Sequence, residues 1–562
     1  KYGGGKELLN KLYASIGANV FVARLLEEER YQLPFLFVFL LALNLPLLGS
    51  RDLWAPVEPR YGEIARVMLA RGEWIVPTVN GEVYTDKPVL YFWLVLGASH
   101  FAAAVSEWAV RLPSALSACG LALVTYALGK KYLQASVGFL AALMIATTAR
   151  VIWEARWAHT DMLFTFLFIC SLYFLLRIWL GENDKKTVAL AFALMGLATL
   201  TKGLIGFVLP GLVFLCLLIW TREWAKLRAL NLPLGIAVFL LVTAPWFVAV
   251  GLRTEGLWIN EFIWRHHVQR YVAGEGHEEP FYYYFVNFPA DFLPWTLILG
   301  LALWSYWPER KALEQPVARF LAAWFGVVFL FFSLSNTKRT LYLLPLFPPA
   351  ALLAAQYLWD LEKGRAFGIK AAKTVLILIG VIFVLAGLAV PWAAFKFSPS
   401  DIRSLLPLAA VAGVSGWFIL RCGKSGRFFA GSIALAAAMA LSLLCAHLSI
   451  MPIINQYKSP RVFAEEIKKH VRQKDPLYMY NDTMNDFNFY LEREVIPVVS
   501  TRVDVLRLAT EKRRVYLLAR NARLVQDLAK EGSGWDFVTR GTTGGKQWFL
   551  LRTKPEITAA ED

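Results

Sequence analysis

Several charged residues in this chain stand where long apolar runs begin or end, and the positions suit phosphate and acid–base chemistry. Glu58 and Arg60 flank Pro59 just where an apolar run gives out. A carboxylate at a membrane boundary can act as a general base or as the electrostatic partner of a reacting group; an interfacial salt bridge is the plain alternative. Asp161 opens another run, after Arg156, Trp157, His159 and Thr160. There it complements a helix macrodipole, and it is also a second candidate carboxylate. In Tyr84-Thr85-Asp86-Lys87-Pro88, the proline biases Lys87 toward an extended backbone. A lysine so placed is a point charge for phosphate or a snorkelling boundary residue. Thr201-Lys202-Gly203 joins two apolar runs almost without a loop, an expensive place for a lysine unless an anion meets it. Lys338 and Arg339 stand between two more runs. The segment Arg265-His266-His267-Val268-Gln269-Arg270, followed by Glu275, His277, Glu278 and Glu279, concentrates cations, imidazoles and carboxylates. His267 and Asp86 are the candidate ligands for a divalent ion, zinc or magnesium, although the spacing matches no recognised metal motif.

The elements that position these residues must be membrane helices. Of 562 residues, 57% are hydrophobic and only 18% charged, below the roughly 25% of ordinary soluble domains. The net charge of +16 does not point to nucleic acid, because the basic residues lie between apolar runs instead of forming one patch or arm. The five cysteines lie in or beside apolar runs with no CxxC and no histidine pairing, so they read as packing residues. The aromatic run at 281–285 reads as an interfacial belt.

Windows long enough to cross about 30 Å of hydrocarbon fall at 33–49, 109–128, 132–148, 161–180, 187–200, 203–220, 232–251, 291–307, 317–333, 341–358, 371–392, 403–420 and 427–449. A further apolar stretch, 88–105, makes the parity ambiguous. The positive-inside rule resolves it. Basic connections at Lys130-Lys131, Lys185-Lys186, Arg222 to Arg228, Arg310-Lys311, Lys363 to Lys370 and Arg421 to Arg427 are all cytoplasmic with thirteen spans and the N-terminus inside. Counting 88–105 as a span would put the later ones outside. The expectation is therefore that 88–105 is a re-entrant or interfacial part of the first outer loop, 50–108. Residues 1–32 read as a cytoplasmic segment ahead of an uncleaved anchor. On the same parity 149–160, 201–203, 252–290, 334–340 and the tail share the outer face with 50–108, and the transmembrane domain is 33–449.

The tail, 450–562, changes character. Strand-like runs at 477–480, 495–499, 515–518 and 548–551 alternate with helix-like ones at 461–472, 503–511 and 521–531, the pattern of a small α/β domain. It contains neither G-x-G-x-x-G after a strand nor a P-loop, which disfavours nucleotide binding.

In combination these motifs resemble the lipid A aminoarabinose transferases and the wider GT-C superfamily of protein O-mannosyltransferase-like enzymes. The resemblance covers most of the membrane region. It is carried by W-x-P-x-E-x-R-Y-x-E-I at 54–64, Tyr84 with Lys87-Pro88, Asp161, T-K-G at 201–203, H-x-Q-R at 267–270, Leu293-Pro294-Trp295, and F-F-S followed by Lys338 and Tyr342. One departure matters: the family has an Asp-Glu pair in the first loop, and here it reads Val57-Glu58. The missing Asp is the family's favoured catalytic carboxylate; its absence leaves Glu58 as the nearest substitute or indicates altered or impaired activity.

What the resemblance implies is a polytopic α-helical inner-membrane enzyme with its active site facing the periplasm and a small C-terminal α/β periplasmic domain. It would invert the anomeric carbon while moving 4-amino-4-deoxy-L-arabinose from undecaprenyl phosphate to a lipid A phosphate. Glu58 and Asp161 would be catalytic, and Arg60, Lys87, Lys202, Arg270 and Lys338 would neutralise phosphate charge. Tyr84 and Tyr342 would line the sugar or phosphate pocket. The expected partners are the lipid-linked donor, the lipid A acceptor and membrane lipids, around a monomer. Two alternatives stay open: a protein O-glycosyltransferase and a lipid-linked sugar flippase.

Overall fold

The computed structural model describes residues 28–554 apart from 103, 270–277, 307–313, 398–401, 483–484, 512, 529 and 531–533. Eight of its helices are long and apolar enough to cross a membrane: Glu107–Tyr132, Thr160–Trp179, Leu232–Arg253, Pro316–Leu334, Thr340–Glu362, Ile369–Lys396, Ile402–Ser425 and Phe428–Lys458. Two bent pairs bring the number to ten. Ala135–Thr147 meets Ala149–Ala155 at 64°, and Tyr283–Asp291 meets Thr296–Tyr306 at 115°. The described residues therefore hold eight to ten spans by length and composition, where thirteen were expected. The shortfall lies in the windows 33–49, 187–200 and 203–220. They fold as Glu29–Asn44, Lys185–Lys202 and Ile205–Thr221, of 16, 18 and 17 residues, each about 24–27 Å long at 1.5 Å per residue. The stretch 88–105 contributes one 13-residue helix, Leu90–Ala102.

Burial sorts the helices into an inner and an outer set. Within their most apolar stretches, Thr160–Trp179 and Thr340–Glu362 are 72% and 78% buried, whereas Leu232–Arg253 and Ile369–Lys396 are each 22% buried. The inner set carries Asp161 and Tyr342. Peripheral helices make close backbone contact where small residues allow it: a Cβ on Gly387 of Ile369–Phe397 would lie 2.7 Å from the Gly413 nitrogen.

The two loop sets meet at different places. Among the basic loops, Lys130 pairs with Glu29 at 2.9 Å, Lys131 with Glu182 at 2.6 Å, and Lys226 lies 4.0 Å above the Trp179 ring. The other set converges on itself. Thr85 donates to Glu261 at 2.9 Å, Arg150 pairs with Asp291 at 2.7 Å, and Asn80 accepts from the Ile496 backbone at 2.8 Å.

In the first loop, helix Glu58–Arg71 begins with Pro59 in its first turn and ends at Gly72, whose φ of +62° suits glycine. A short antiparallel ladder follows, β1 (Thr78–Val79) with β2 (Glu82–Val83).

The last apolar helix runs on to Lys458, past the expected boundary, and hands over to a five-stranded sheet. Its strands are β3 (Leu477–Tyr480), β4 (Val498–Val499), β5 (Tyr516–Ala519), β6 (Trp535–Thr543) and β7 (Lys546–Thr553), in the order β4-β3-β5-β7-β6. The first three pair in parallel, and β5-β7-β6 is antiparallel. Strand β6 was not expected from sequence. Its polar, half-exposed pattern lacks the apolar run that marks its partner β7. This domain docks on the first loop: Tyr490 hydroxyl accepts from the Leu53 backbone at 2.7 Å, and Arg461 pairs with Asp52 at 2.9 Å.

Candidate functional site

Glu58 lies at the start of its helix with a fully buried side chain, and its carboxylate accepts six hydrogen bonds. Arg51 donates at 2.5 and 3.1 Å, and Arg111 at 2.8 and 3.0 Å. The backbone N–H groups of Trp54 and Ala158 add one bond each, both at 3.1 Å. Arg111 also donates to the carbonyls of Leu48, Arg51 and Asp52. Arg51 is sandwiched between the rings of Trp54 and Trp157, at 4.5 and 4.8 Å. Burial alone would push the Glu58 carboxyl upward, but the charges and hydrogen bonds of Arg111 and Arg51 outweigh it and bring it down to about 2. Glu58 was expected to take part in catalysis. In this geometry two carboxylate oxygens with about four lone-pair sites are saturated and sealed from solvent. Such an arrangement clamps the first loop to helix Glu107–Tyr132 and to the 156–158 turn.

Asp161 has a different setting. It stands in the first turn of Thr160–Trp179, faces both Lys202 and His159, and is 1% exposed. Lys202, in the last turn of Lys185–Lys202, pairs with Oδ1 of Asp161 and lies 4.3 Å above the ring of Tyr342 and 5.2 Å from that of Phe164. Nδ1 of His159 faces Oδ2 of Asp161, and its imidazole stacks on Tyr61 with centroids 6.3 Å apart and planes at 17°. Tyr61 in turn packs edge-on against Tyr84 at 6.5 Å. Burial, and then the Asp161 charge, push the Tyr61 phenol well above its ordinary value; burial does the same for Tyr84. Four separate stretches of chain thus meet in one run of contacts, Tyr84–Tyr61–His159–Asp161–Lys202–Tyr342.

The first loop rims this cluster. Arg60 faces Asp86 at 3.8 Å, each about one-third exposed, and Lys87 donates to the Asp86 carbonyl at 3.0 Å. Trp258 holds the segment by donating to the Tyr84 carbonyl at 2.9 Å. Asp86, expected to be a metal ligand, has a guanidinium as its neighbour. Arg270 and the side chain of His267 lie outside the described residues, and among the described residues no three His, Cys, Asp or Glu side chains converge on a metal position. Lys338 is 3% exposed and donates to the carbonyls of Glu279 at 2.8 Å and Ser335 at 2.5 Å. Two of its three donors staple the 334–340 loop to 278–280.

Two residues of this architecture were not singled out from sequence, Arg111 and Arg51, and Tyr61 entered only as part of the 54–64 motif. Arg111 had a signal, a guanidinium inside an apolar window, which is rare unless functional or paired. His159 was noticed only as a neighbour of Asp161.

The sequence signature of the dolichyl-phosphate-mannose-protein mannosyltransferase family matches residues 31–259. The undecaprenyl phosphate-alpha-4-amino-4-deoxy-L-arabinose arabinosyl transferase of Aeromonas hydrophila is 32% identical over 410 residues, covering 70% of this chain and 71% of the relative. The chain belongs to this arabinosyl transferase family. The similarity to arabinosyl transferase 2 of Pseudomonas fluorescens is 33% over 374 residues, or 64% of this chain. That alignment spans 66% of the relative, just under two thirds of its length. The fold is shared with ArnT from Cupriavidus metallidurans, solved bound to undecaprenyl phosphate. The TM-score is 0.74 and the identity 22%, over 94% of this chain and 99% of that one. In the first loop here, Val57 stands beside a Glu58 whose buried carboxylate is wholly engaged in holding the loop.

Proposed function

We propose that this chain is an inverting polyprenyl-phosphate-sugar glycosyltransferase that moves 4-amino-4-deoxy-L-arabinose from undecaprenyl phosphate to a phosphate of lipid A. The observation that carries the reading is the buried Asp161–Lys202 pair under Tyr342, rimmed by Arg60 and Lys87. Donor, acceptor and leaving group all bring phosphate, and cations fixed at one place lower the energy of the charge that builds on the departing carrier. Lys202 and Lys87 serve that charge, with Arg60 at the rim; Arg270, outside the described residues, is a further candidate cation from the sequence. Asp161 holds Lys202 in place. Tyr84 and Tyr342 shape the sugar pocket. A phosphate acceptor is already ionised near neutral pH, so it needs no strong base. That suits a chain with Val57 in place of the acid and Glu58 saturated, whereas a protein hydroxyl acceptor would need the missing carboxylate. Inversion follows from the GT-C resemblance.

The site lies among the loops that lack the Lys/Arg excess, which supports the periplasmic face of the bacterial inner membrane. Helix Leu90–Ala102 reaches about 20 Å, which supports a re-entrant 88–105 within the outer loop 50–108. Residues 1–32 then lie in the cytoplasm, 33–449 form the catalytic membrane domain, and 450–562 lie in the periplasm. The test is reconstitution in proteoliposomes with carrier-linked aminoarabinose and lipid A, followed by mass spectrometry of the lipid. Gain of one aminopentose on lipid A phosphate is expected. Carrier translocation without sugar transfer, or transfer to protein instead, overturns the reading.

A further inference from the structure

His159 is fixed on three sides. Its Nδ1 faces Asp161, its ring lies on Tyr61, and its backbone carbonyl accepts from the Ser114 hydroxyl at 3.2 Å. The other ring nitrogen, Nε2, has no hydrogen-bond partner among the described residues and is not sealed off, the side chain being 8% exposed. Nδ1 and the Asp161 Oδ2 it faces are buried and have no other hydrogen-bond partner among the described residues, so the carboxylate favours the tautomer with the proton on Nδ1 and the lone pair on Nε2. Because Oδ1 of the same carboxylate is held by Lys202, Asp161 cannot swing away from the imidazole. A carboxylate, an imidazole facing it through Nδ1, an open Nε2, and a lysine on the other carboxylate oxygen form a proton-carrying arrangement. The charged and titratable groups facing His159 are Asp161, Glu154 from the neighbouring short helix, and Tyr61; Lys202 stands across the carboxylate.

We infer that His159 is a catalytic residue, carrying a proton between the two phosphates of the reaction. The inference rests on the transfer proposed above. An oxygen of the acceptor phosphate, entering as the singly protonated monoester, forms the new bond to the anomeric carbon as the bond to the carrier phosphate oxygen breaks. The breaking bond's electrons stay on that oxygen. Nε2 takes the acceptor's proton, Asp161 stabilises the imidazolium, and Nε2 returns the proton to the carrier phosphate. No proton is gained or lost overall, and no co-reactant is needed. This places an acid–base group in the site although Val57 stands where the family has its acid and Glu58 is saturated.

The experiment is steady-state transfer by the full chain in proteoliposomes, with carrier-linked aminoarabinose and lipid A, for wild type, H159N, H159Q and H159G. Asparagine keeps an amide donor near the Nδ1 position and deletes Nε2; glutamine reaches the Nε2 position without carrying a proton. Both should lose about 100-fold in kcat, the lower end for general acid–base catalysis, with KM for either substrate essentially unchanged. One ionisation should vanish from the pH–rate profile, and added imidazole should restore rate to H159G. Wild-type rates and pH profile in H159N and H159Q overturn the inference alone. So does a loss that imidazole does not rescue and that comes with a lowered unfolding temperature, since that describes a packing residue. A wild type that transfers no sugar overturns the function proposed above, and this inference with it.

Discussion

Replacing Glu58 by Gln separates a clamp from a catalyst. In the folded chain the carboxyl lies near 2, against 4.5 when unperturbed, a difference worth about 3 kcal/mol at 1.36 kcal/mol per pH unit. The same order follows from chemistry: removing one partner of a buried ion network costs about 3–5 kcal/mol, because the remaining charge stays uncompensated. Here two guanidiniums remain, 0% and 6% exposed. Glu58→Gln should therefore open the first loop about 100-fold more often at neutral pH. Limited proteolysis of the 50–80 region in detergent reads that population directly when opening is fast relative to cleavage. The sign with pH follows from the lowered carboxyl. The stabilisation is complete above about 4.5 and is lost as pH falls toward about 2. Wild type should lose protection over that window, and Glu58→Gln should stay flat across it. A variant as protected as wild type at pH 7 but inactive in transfer refutes the reasoning and restores Glu58 as a catalytic acid or base.

Asp161→Asn and Lys202→Met should each abolish transfer and lower thermal stability, each leaving one buried charge unpaired at a cost of about 3–5 kcal/mol. The double variant should regain much of the stability but no activity, as read by melting temperature beside transfer rate. Asp486, 1% exposed where the C-terminal domain meets the first loop, is driven up to about 7 by burial against the pull of Arg60. With a raised folded value, its contribution is fully present below about 4 and lost as pH rises through about 7. Asp486→Asn should therefore raise the melting temperature at pH 8 and leave it unchanged at pH 4; equal shifts at both would refute the assignment. At Gly62 a Cβ would lie 2.9 Å from both Leu53 Cδ1 and Phe489 Cε2. Gly62→Ala should cost about 1–3 kcal/mol and make the C-terminal domain easier to release by protease.

Much of the helical framework was legible because an apolar window needs only its own composition to declare itself. Each of the thirteen windows holds a helix among the described residues, and the basic loops at 130–131, 182–186 and 222–228 gather together. The count of full spans was less legible, since 33–49, 187–200 and 203–220 fall near the minimum length and their neighbours decide what they do. The C-terminal sheet could be read in its buried strands β3, β5 and β7, whereas β6, polar on its open edge, carried no period to find. At the site, sequence brought forward Asp161, Lys202, Tyr84 and Tyr342, which meet in space, but also Lys338, which staples two loops.

By itself the sequence determined that the chain crosses a membrane repeatedly, because hydrocarbon acts on each segment separately. Only the tertiary structure decided what each ionisable group does. Glu58 meets Arg111 from 53 positions away and the Ala158 backbone from 100, while Lys202 reaches Asp161 across 41. Whether a buried carboxylate is a clamp or a reagent depends on how many of its lone pairs such distant partners fill. Local patterning says nothing about that number.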